Sequence, residues 1–396
     1  MFISDKLVAV LGDNSWIRKM YDRSCALQRE KPYEKIYDLS LGNPVFEPPP
    51  IVVATMVKLL QSGKKGLHRY LPNQGLVMAR EWVAAFINQR SRAASITSDL
   101  VMMSGGAGGA INIVLNTLLN PGDEVLIFQP YFVEYTHYIH NFAGVVRFVP
   151  TTPTFRPDLA AIEVALNPRS KVLLINSPNN PTGVVYSAEE LQGLAELLLR
   201  AGRRFGHEIA LVSDEPYTRI AYDGVAVPSV FDFYPHSFIA SSFSKDLALA
   251  GERFGYIAVS PHCADAQRTM EALVSSQRVL GFVNAPSLLQ HVLPELGDAM
   301  VAIEPYQQNR DTLYQQLLSS GYRCVKPQGA FYLFPEAPGG DDLAFIEAAL
   351  RHNLVLVPGR TFGCPGHVRI SFCFEPAYIE ATLGIFSRLA HEFGIG

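Results

Sequence analysis

Nowhere does this 396-residue chain hold the ~20 uninterrupted apolar residues that a membrane-spanning helix requires. Its opening segment, MFISDKLVAVLGDNSW, has too short an apolar stretch for a secretory leader and no small-residue cleavage pattern. The five cysteines (Cys25, Cys263, Cys324, Cys364, Cys373) are scattered and odd in number, with no C-x-x-C pair. That argues against a disulfide framework or a zinc site and for reduced thiols in the cytoplasm. The ten histidines never fall at H-x-x-x-H or H-E-x-x-H spacing, so no metal site is expected. A charge excess is missing too: 33 basic against 37 acidic residues leave a net charge of −4, with no basic block or acidic tail. Neither nucleic acid nor an anionic membrane is expected as a partner. No internal repeat is present. No G-x-S-x-G surrounds Ser104, which removes the usual hydrolase elbow, and no G-x-G-x-x-G reads through the glycine cluster at 105–109, which removes the dinucleotide fingerprint.

What remains is a chain that is 48% apolar and longer than one hydrophobic core usually serves, so two domains are expected. After a helix-like opening, SLGNPVFEPPP (40–50) is too rich in Gly and Pro for regular helix or central strand. Residues 75–90, 108–119 and 187–206 carry apolar side chains at helical spacing. Between and beyond them lie short apolar runs that read as buried strands: 125–128, 145–149, 171–176, 209–213, 238–242 and 256–260. Continuous apolar strands separated by helices imply an α/β fold with a largely parallel sheet covered on both faces. From about 285 the texture changes to a long helical region (285–319), then GAFYLF, a helix near 342–352, two further apolar runs and a closing helix near 377–394. The expected division is a large unit, 46–290, and a smaller α+β unit made of 1–45 plus 291–396.

The strongest local signal is SSFSKDLALAGERFGY (241–256). Lys245 follows a strand and a Ser-x-Ser step, with Arg253 eight residues on. A lysine forms a Schiff base with an aldehyde only through its neutral amine, a state that a semi-buried, cation-rich site favours. The hydroxyls of Ser242 and Ser244 and the guanidinium of Arg253 have the chemistry to hold a phosphate dianion.

This segment resembles the lysine signature of the class I/II aminotransferases, fold-type I enzymes that use pyridoxal 5′-phosphate (PLP) and are aspartate-aminotransferase-like. The one departure is Phe254, where the signature has a smaller aliphatic residue. Further family motifs follow in order over nearly the whole chain. The resemblance implies a seven-stranded-type, mostly parallel sheet in a large PLP-binding domain beside a small α+β domain.

Each motif also has its own physics. SDEPY (213–217) puts Asp214 at the C-terminal end of a strand, where open α/β sheets bind ligands. The resemblance implies that Asp214 pairs with the cofactor's pyridinium nitrogen and that Tyr217 bonds its phenolate oxygen. In NSPNNPTG (176–183), a turn by composition, Asn180 is the implied second donor to that oxygen, and a substrate contact as well. MSGGAGGAIN (103–112) is a Gly-rich turn opening a helix, a place where free backbone N–H groups and the helix dipole bind phosphate. The implied contacts are the amides of Ala107 and Gly108. Many relatives carry Ser or Thr where this chain has Gly108, so Ser242, Ser244 and Arg253 are expected to bear more of the phosphate's charge. In FQPYFVEY (128–135), Phe132 is the aromatic implied to stack on the cofactor ring. HRYLPNQG (68–75) resembles the segment whose tyrosine, here Tyr70, crosses a homodimer interface to the partner's phosphate. GHVRISF (366–372) resembles the strand whose arginine, Arg369, clamps the substrate α-carboxylate, with Gly42 of the LGNP turn nearby.

The expected function is therefore a cytoplasmic, homodimeric aminotransferase that moves an amino group from an L-amino acid to a 2-oxo acid by a ping-pong mechanism. Lys245, Asp214 and Tyr217 are its catalytic residues. A carbon–sulfur β-lyase of the same fold would keep every motif, because the cofactor serves both reactions. A non-catalytic PLP-domain regulator would need a DNA-binding domain, and only about 45 residues precede the fold here, with no basic helix pair. The family resemblance leans to aspartate-type substrates. A dicarboxylate needs a second cation that the sequence does not place, whereas aromatic or aliphatic side chains need only apolar walls.

Overall fold

The computed structural model describes residues 2–5, 7–8, 16–92 and 95–395. Among the described residues, twelve strands form three sheets. In chain order they are β1 (Tyr37–Asp38), β2 (Val101–Ser104), β3 (Glu124–Gln129), β4 (Val145–Pro150), β5 (Ser170–Asn176), β6 (Ala210–Asp214), β7 (Ser237–Ser242), β8 (Gly255–Val259), β9 (Tyr332–Leu333), β10 (Leu354–Val355), β11 (Val357–Pro358) and β12 (Val368–Ser371). The large sheet has seven strands in the order β2-β8-β7-β6-β5-β3-β4. All its strands run parallel except β8, which is antiparallel to both β7 and β2.

Alternation along the strands builds the two faces of this sheet. Leu126, Phe128, Leu173, Ile175, Leu211 and Ile239 join one apolar cluster, to which the helices Val77–Arg90 and Ala188–Phe205 contribute. The intervening Val125, Ile127, Val172, Leu174, Val212, Phe238 and Ala240 join another, under the helices Gly106–Leu118 and Ala266–Val279. Burial on both faces explains why these strands read as continuous apolar runs rather than alternating ones. The helix Ala188–Phe205 is closed at both ends by local chemistry. Ser187 and Glu190 form a capping box, and Gly206 ends the helix in the left-handed conformation. A third apolar cluster gathers Leu27, Ile36 and Leu39 with residues from Val301 to Ala390, and reaches the large sheet's own connection through Tyr217, Ile220 and Tyr222.

Two expectations are corrected. The region 285–319 is not one helix: Ser287–Val292 runs into a 3₁₀ turn, Leu293–Glu295, and a new helix starts at Glu304. Gly297, in the left-handed region, breaks the periodic pattern, and the link is used structurally, since the N–H of Val301 donates to the Asp246 carbonyl at 2.8 Å. The closing helix is likewise two, Pro376–Glu380 and Leu383–Glu392. Strand β2 escaped notice because VMMS is only four residues long and half methionine, a weak strand former, and its extended conformation comes from pairing with β8.

The C-terminal ends of the strands converge. Asn176 pairs in register with Asp214, Asp214 with Ala240, and Gly255 with both Ser242 and Ser104. At Gly255 the backbones come so close that an added Cβ would lie 2.3 Å from the Ser241 carbonyl oxygen and 2.9 Å from the Gly106 Cα. Gly255→Ala is expected to cost about 1–3 kcal/mol, the range for overpacking a core. A denaturant midpoint unchanged from wild type would contradict that close approach.

Candidate active site

A cavity of about 320 Å³ opens at this strand edge. Gly42, Ala107, Gly108, Phe132, Asn180, Asp214, Tyr217, Ser242, Ser244, Lys245, Arg253 and Arg369 all line it. Twelve of the thirteen residues singled out in the sequence are thus brought together from segments up to 327 positions apart (42 to 369). The exception is Tyr70, which is 88% exposed and does not line the cavity of its own chain.

Lys245 sits just beyond β7, in a connection folded back on itself. The N–H of Phe243 donates to the Phe254 carbonyl at 3.0 Å, and that of Leu249 to the Phe243 carbonyl at 3.2 Å. Phe254 is buried and packs on Phe243, with ring centroids 5.0 Å apart, so the residue that departs from the family signature serves as core. Lys245 Nζ donates to the Gly42 carbonyl at 2.6 Å. Burial lowers its pKa to about 8, assisted by Arg369 and Arg253 and opposed by Cys373. The amine is therefore accessible in its neutral form near physiological pH.

Asp214 ends β6 and is buried. Its Oδ2 accepts a bond from the Tyr135 hydroxyl at 2.5 Å, while its Oδ1 has no partner. Burial pushes this carboxyl up to about 7, and the Tyr135 bond works against that rise. The turn that follows β6 is pinned by the buried Glu215, which accepts from Arg90 Nη2 at 3.0 Å.

Asn180 is oriented on both sides. Its N–H donates to Asn176 Oδ1 at 2.7 Å, and its own Oδ1 accepts from Arg369 Nη1 at 3.0 Å, which leaves its Nδ2 as a donor. Asn176 in turn donates to the Asp214 carbonyl at 2.9 Å. Arg369 is 2% exposed, its guanidinium held between the rings of Tyr332 (4.6 Å) and Phe362 (4.7 Å) and bonded through Nη2 to the Ser40 carbonyl at 2.6 Å. Its Nε is buried without a partner. The Tyr217 and Tyr332 hydroxyls lie 3.0 Å apart.

The start of the helix Gly106–Leu118 has no side-chain cap. Gly106 is in the left-handed region (φ +80°), and a Cβ there would fall 2.8 Å from Arg253 Nη2, so the guanidinium lies directly against this turn. Uncapped N–H groups, two serine hydroxyls and an arginine thus face one corner of the cavity, a donor set suited to a phosphate.

Several lining residues were not anticipated: Ile17, Ile111, Tyr138, Asn176, Pro216, Ala250 and Tyr332. Tyr135 and Tyr138 are spaced i, i+3 on the helix Glu134–Asn141, directly after Phe132, and that helical spacing was the signal available for both. Asn176 stands at the strand end of NSPNNPTG, four residues before Asn180. Ile17, by contrast, comes from the helix Trp16–Glu30, and its sequence gives no hint of a site.

These features fit pyridoxal phosphate. The orphaned Asp214 oxygen, on a carboxyl whose charge nothing nearby offsets, suits a protonated ring nitrogen. The uncapped helix start with Arg253 suits the phosphate, and Lys245 with its lowered pKa suits the aldehyde.

Comparison with known proteins agrees. The family model for aminotransferase class I and II matches residues 34–385. The aspartate aminotransferase of Thermotoga maritima is 33% identical over 344 residues, covering 86% of this chain and 87% of that protein. The aspartate/prephenate aminotransferase of Thermus thermophilus is 30% identical over 387 residues, covering 92% and 93%. A solved amino transferase from Eubacterium rectale superimposes with a TM-score of 0.95 at 34% identity, covering 99% of both chains. The chain belongs to the class I and II aminotransferases, and is a PLP-dependent transaminase.

Proposed function

We propose that transamination in this chain is carried by the group of residues lining the cavity at the strand ends of the large sheet, with Lys245 as cofactor-bearing residue and proton carrier. The observation behind this reading is that one enclosure holds a lysine with a lowered pKa, a partnerless buried carboxylate oxygen and two arginines. When bound, pyridoxal phosphate supplies an aldehyde and an electron-accepting ring. Asp214 would keep the ring nitrogen protonated through its free Oδ1. Asn180 Nδ2 and the Tyr217 hydroxyl would serve as donors to the ring's phenolate oxygen. Phe132 would cover the ring, and Ser242, Ser244, Arg253 and the amides of Ala107 and Gly108 would hold the phosphate. Arg369 binds the substrate α-carboxylate and so turns the Cα–H toward Lys245 Nζ, which removes that proton and later returns it, as base and then acid. The Gly42 carbonyl steadies Nζ between these steps.

The lining that this reading leaves for the substrate side chain is apolar and aromatic: Ile17, Ile111 and Tyr332. The cations lining the cavity are Lys245, Arg253 and Arg369, each already engaged in this reading. A second carboxylate finds no further cation among the described lining residues, which favours amino acids with neutral side chains over aspartate. The Thermus thermophilus relative, by contrast, was solved with maleate, a dicarboxylate. As further parts of the proposal, residues 46–290 form the cofactor-holding unit and 1–45 with 291–396 the small one, and the enzyme works as a cytoplasmic homodimer in which Tyr70 reaches the partner's phosphate. The exposure of Tyr70 and of Ile51, Val53, Val57 and Leu60 along the helix Pro50–Gln61 supports such an apolar contact. Among the described residues, no helix is long and apolar enough to cross a membrane.

The functional test offers the holoenzyme a panel of amino acids with 2-oxoglutarate or pyruvate. New amino acid and new oxo acid should appear in equal amounts, fastest from a donor with a neutral side chain, while ammonia release without amino transfer would contradict the reading. Lys245→Ala should lower turnover by ~10²-fold or more, the range for losing a general base, and a rate equal to wild type would overturn its role.

A second prediction concerns stability. The folded Asp214 pKa of about 7 lies above the 3.8 of an unperturbed aspartate, so between these values the folded state binds the extra proton. The resulting stability is complete below pH 3.8 and is lost as the pH rises through about 7. Asp246, raised by burial to about 6, adds a loss of the same sign. The apoprotein's Tm should fall from pH 5 to 8. Asp214→Asn should flatten that fall and raise the apo Tm at pH 8 while weakening PLP binding. An apo Asp214→Asn protein that melts below wild type at pH 8 would contradict the assignment.

A further inference from the structure

The helix that opens the phosphate corner carries glycine at its third position, and the space above that glycine is filled by another residue. A Cβ built on Gly108 would lie 2.9 Å from the Tyr138 hydroxyl oxygen, 3.6 Å from its Cζ and 4.0 Å from its Cε2. The phenol oxygen therefore stands where a side chain from the helix's first turn would otherwise project. Two bonds hold the pieces in this arrangement. Asn112 Nδ2 donates to the Gly108 carbonyl at 2.9 Å, and Asn141, on the helix that carries Tyr138, donates to Asn112 Oδ1 at 3.1 Å. Tyr138 lines the same cavity as Ser242, Ser244 and Arg253. No hydrogen bond to another described residue uses its hydroxyl, although Tyr135, one turn earlier, spends its own on Asp214. Burial, with smaller contributions from Glu134 and Asp214, pushes the Tyr138 phenol up to about 12, and Arg253 opposes the rise, so it is a donor throughout the physiological range.

We propose that Tyr138 donates its hydroxyl proton to the cofactor's phosphate, and that position 108 is glycine because any side chain there would displace that phenol. The hydroxyl that the helix's first turn lacks is supplied by the neighbouring helix. This inference rests on the reading that the phosphate lies at the start of the helix Gly106–Leu118. The alternative is that Tyr138 is only wall, packing its ring and leaving its oxygen to solvent.

Affinity separates the two without recourse to activity. Apoprotein from the full-length wild type and from Tyr138→Phe, Gly108→Ser, the double variant and Arg253→Met is titrated with PLP and, in parallel, with pyridoxal, which has no phosphate. Tyr138→Phe should weaken PLP binding about tenfold, the contribution of one hydrogen bond to a charged group, and leave pyridoxal binding unchanged. Gly108→Ser alone should also weaken PLP binding, because the new side chain collides with the phenol oxygen. In the Tyr138→Phe background, where that oxygen is gone, Gly108→Ser should recover most of the loss. If Tyr138→Phe leaves the preference for PLP over pyridoxal intact while Arg253→Met abolishes it, Tyr138 is only wall and the proposal fails. If Arg253→Met also leaves the preference intact, the phosphate lies elsewhere and the site reading itself fails. A double variant no better than Tyr138→Phe would overturn the exchange between positions 108 and 138.

Discussion

A carboxylate without a counter-charge is the constraint around which the site is arranged. Asp214 is buried with one oxygen bonded to the Tyr135 hydroxyl and the other to nothing. Transferring such a group from water is costly unless it is neutralised or paired, and here burial has moved its pKa to about 7. In the proposed reading, the second partner would arrive with the cofactor. The lysine obeys the same physics in the opposite direction: burial disfavours its ammonium as it disfavours the Asp214 carboxylate, so both groups titrate closer to neutrality. A single desolvated enclosure thus holds an acid and a base that both titrate near neutrality.

The parallel sheet makes that enclosure possible. Strands β5 and β6 deliver Asn176 and Asp214 in register, and β7 ends in Ser242, two residues beyond the partner of Asp214, so three polar groups gather at one sheet edge while the strand interiors stay apolar. Turns continue the pattern: Asn180 lies four residues beyond Asn176, Tyr217 three beyond Asp214 and Lys245 three beyond Ser242. Gly42, Tyr332 and Arg369 close the other side. At Gly42 the approach is so tight that a Cβ would overlap the Tyr332 hydroxyl.

Much of this was legible in the sequence because strand ends and turns leave local marks. Asp214, Asn180 and Lys245 each lie within a few residues of the end of an apolar run, and the glycines at 105–109 announce an uncapped helix start. What escaped depended on partners distant in sequence. Tyr135 looks like one more aromatic on an amphipathic helix until β6 brings Asp214 to its hydroxyl, 79 positions away. Tyr332 is apolar core by its neighbours Phe331 and Leu333, yet its hydroxyl meets Tyr217 across 115 positions. Ile17 reaches the cavity only through the packing of the N-terminal helix. The break at 296–303 was hidden because the apolar spacing on either side continues, and the bond from Val301 to Asp246 that uses it cannot be seen in a periodicity.

We propose that Lys245, and no other lysine, is the residue to which the cofactor is joined. The most direct test is to reduce the PLP-loaded protein with borohydride, digest it and locate the modified lysine by mass spectrometry. The structure predicts one pyridoxyl-phosphate mass per chain, on the peptide containing Lys245, with the label absent from Lys245→Ala. Stoichiometric labelling at any other lysine would contradict the account.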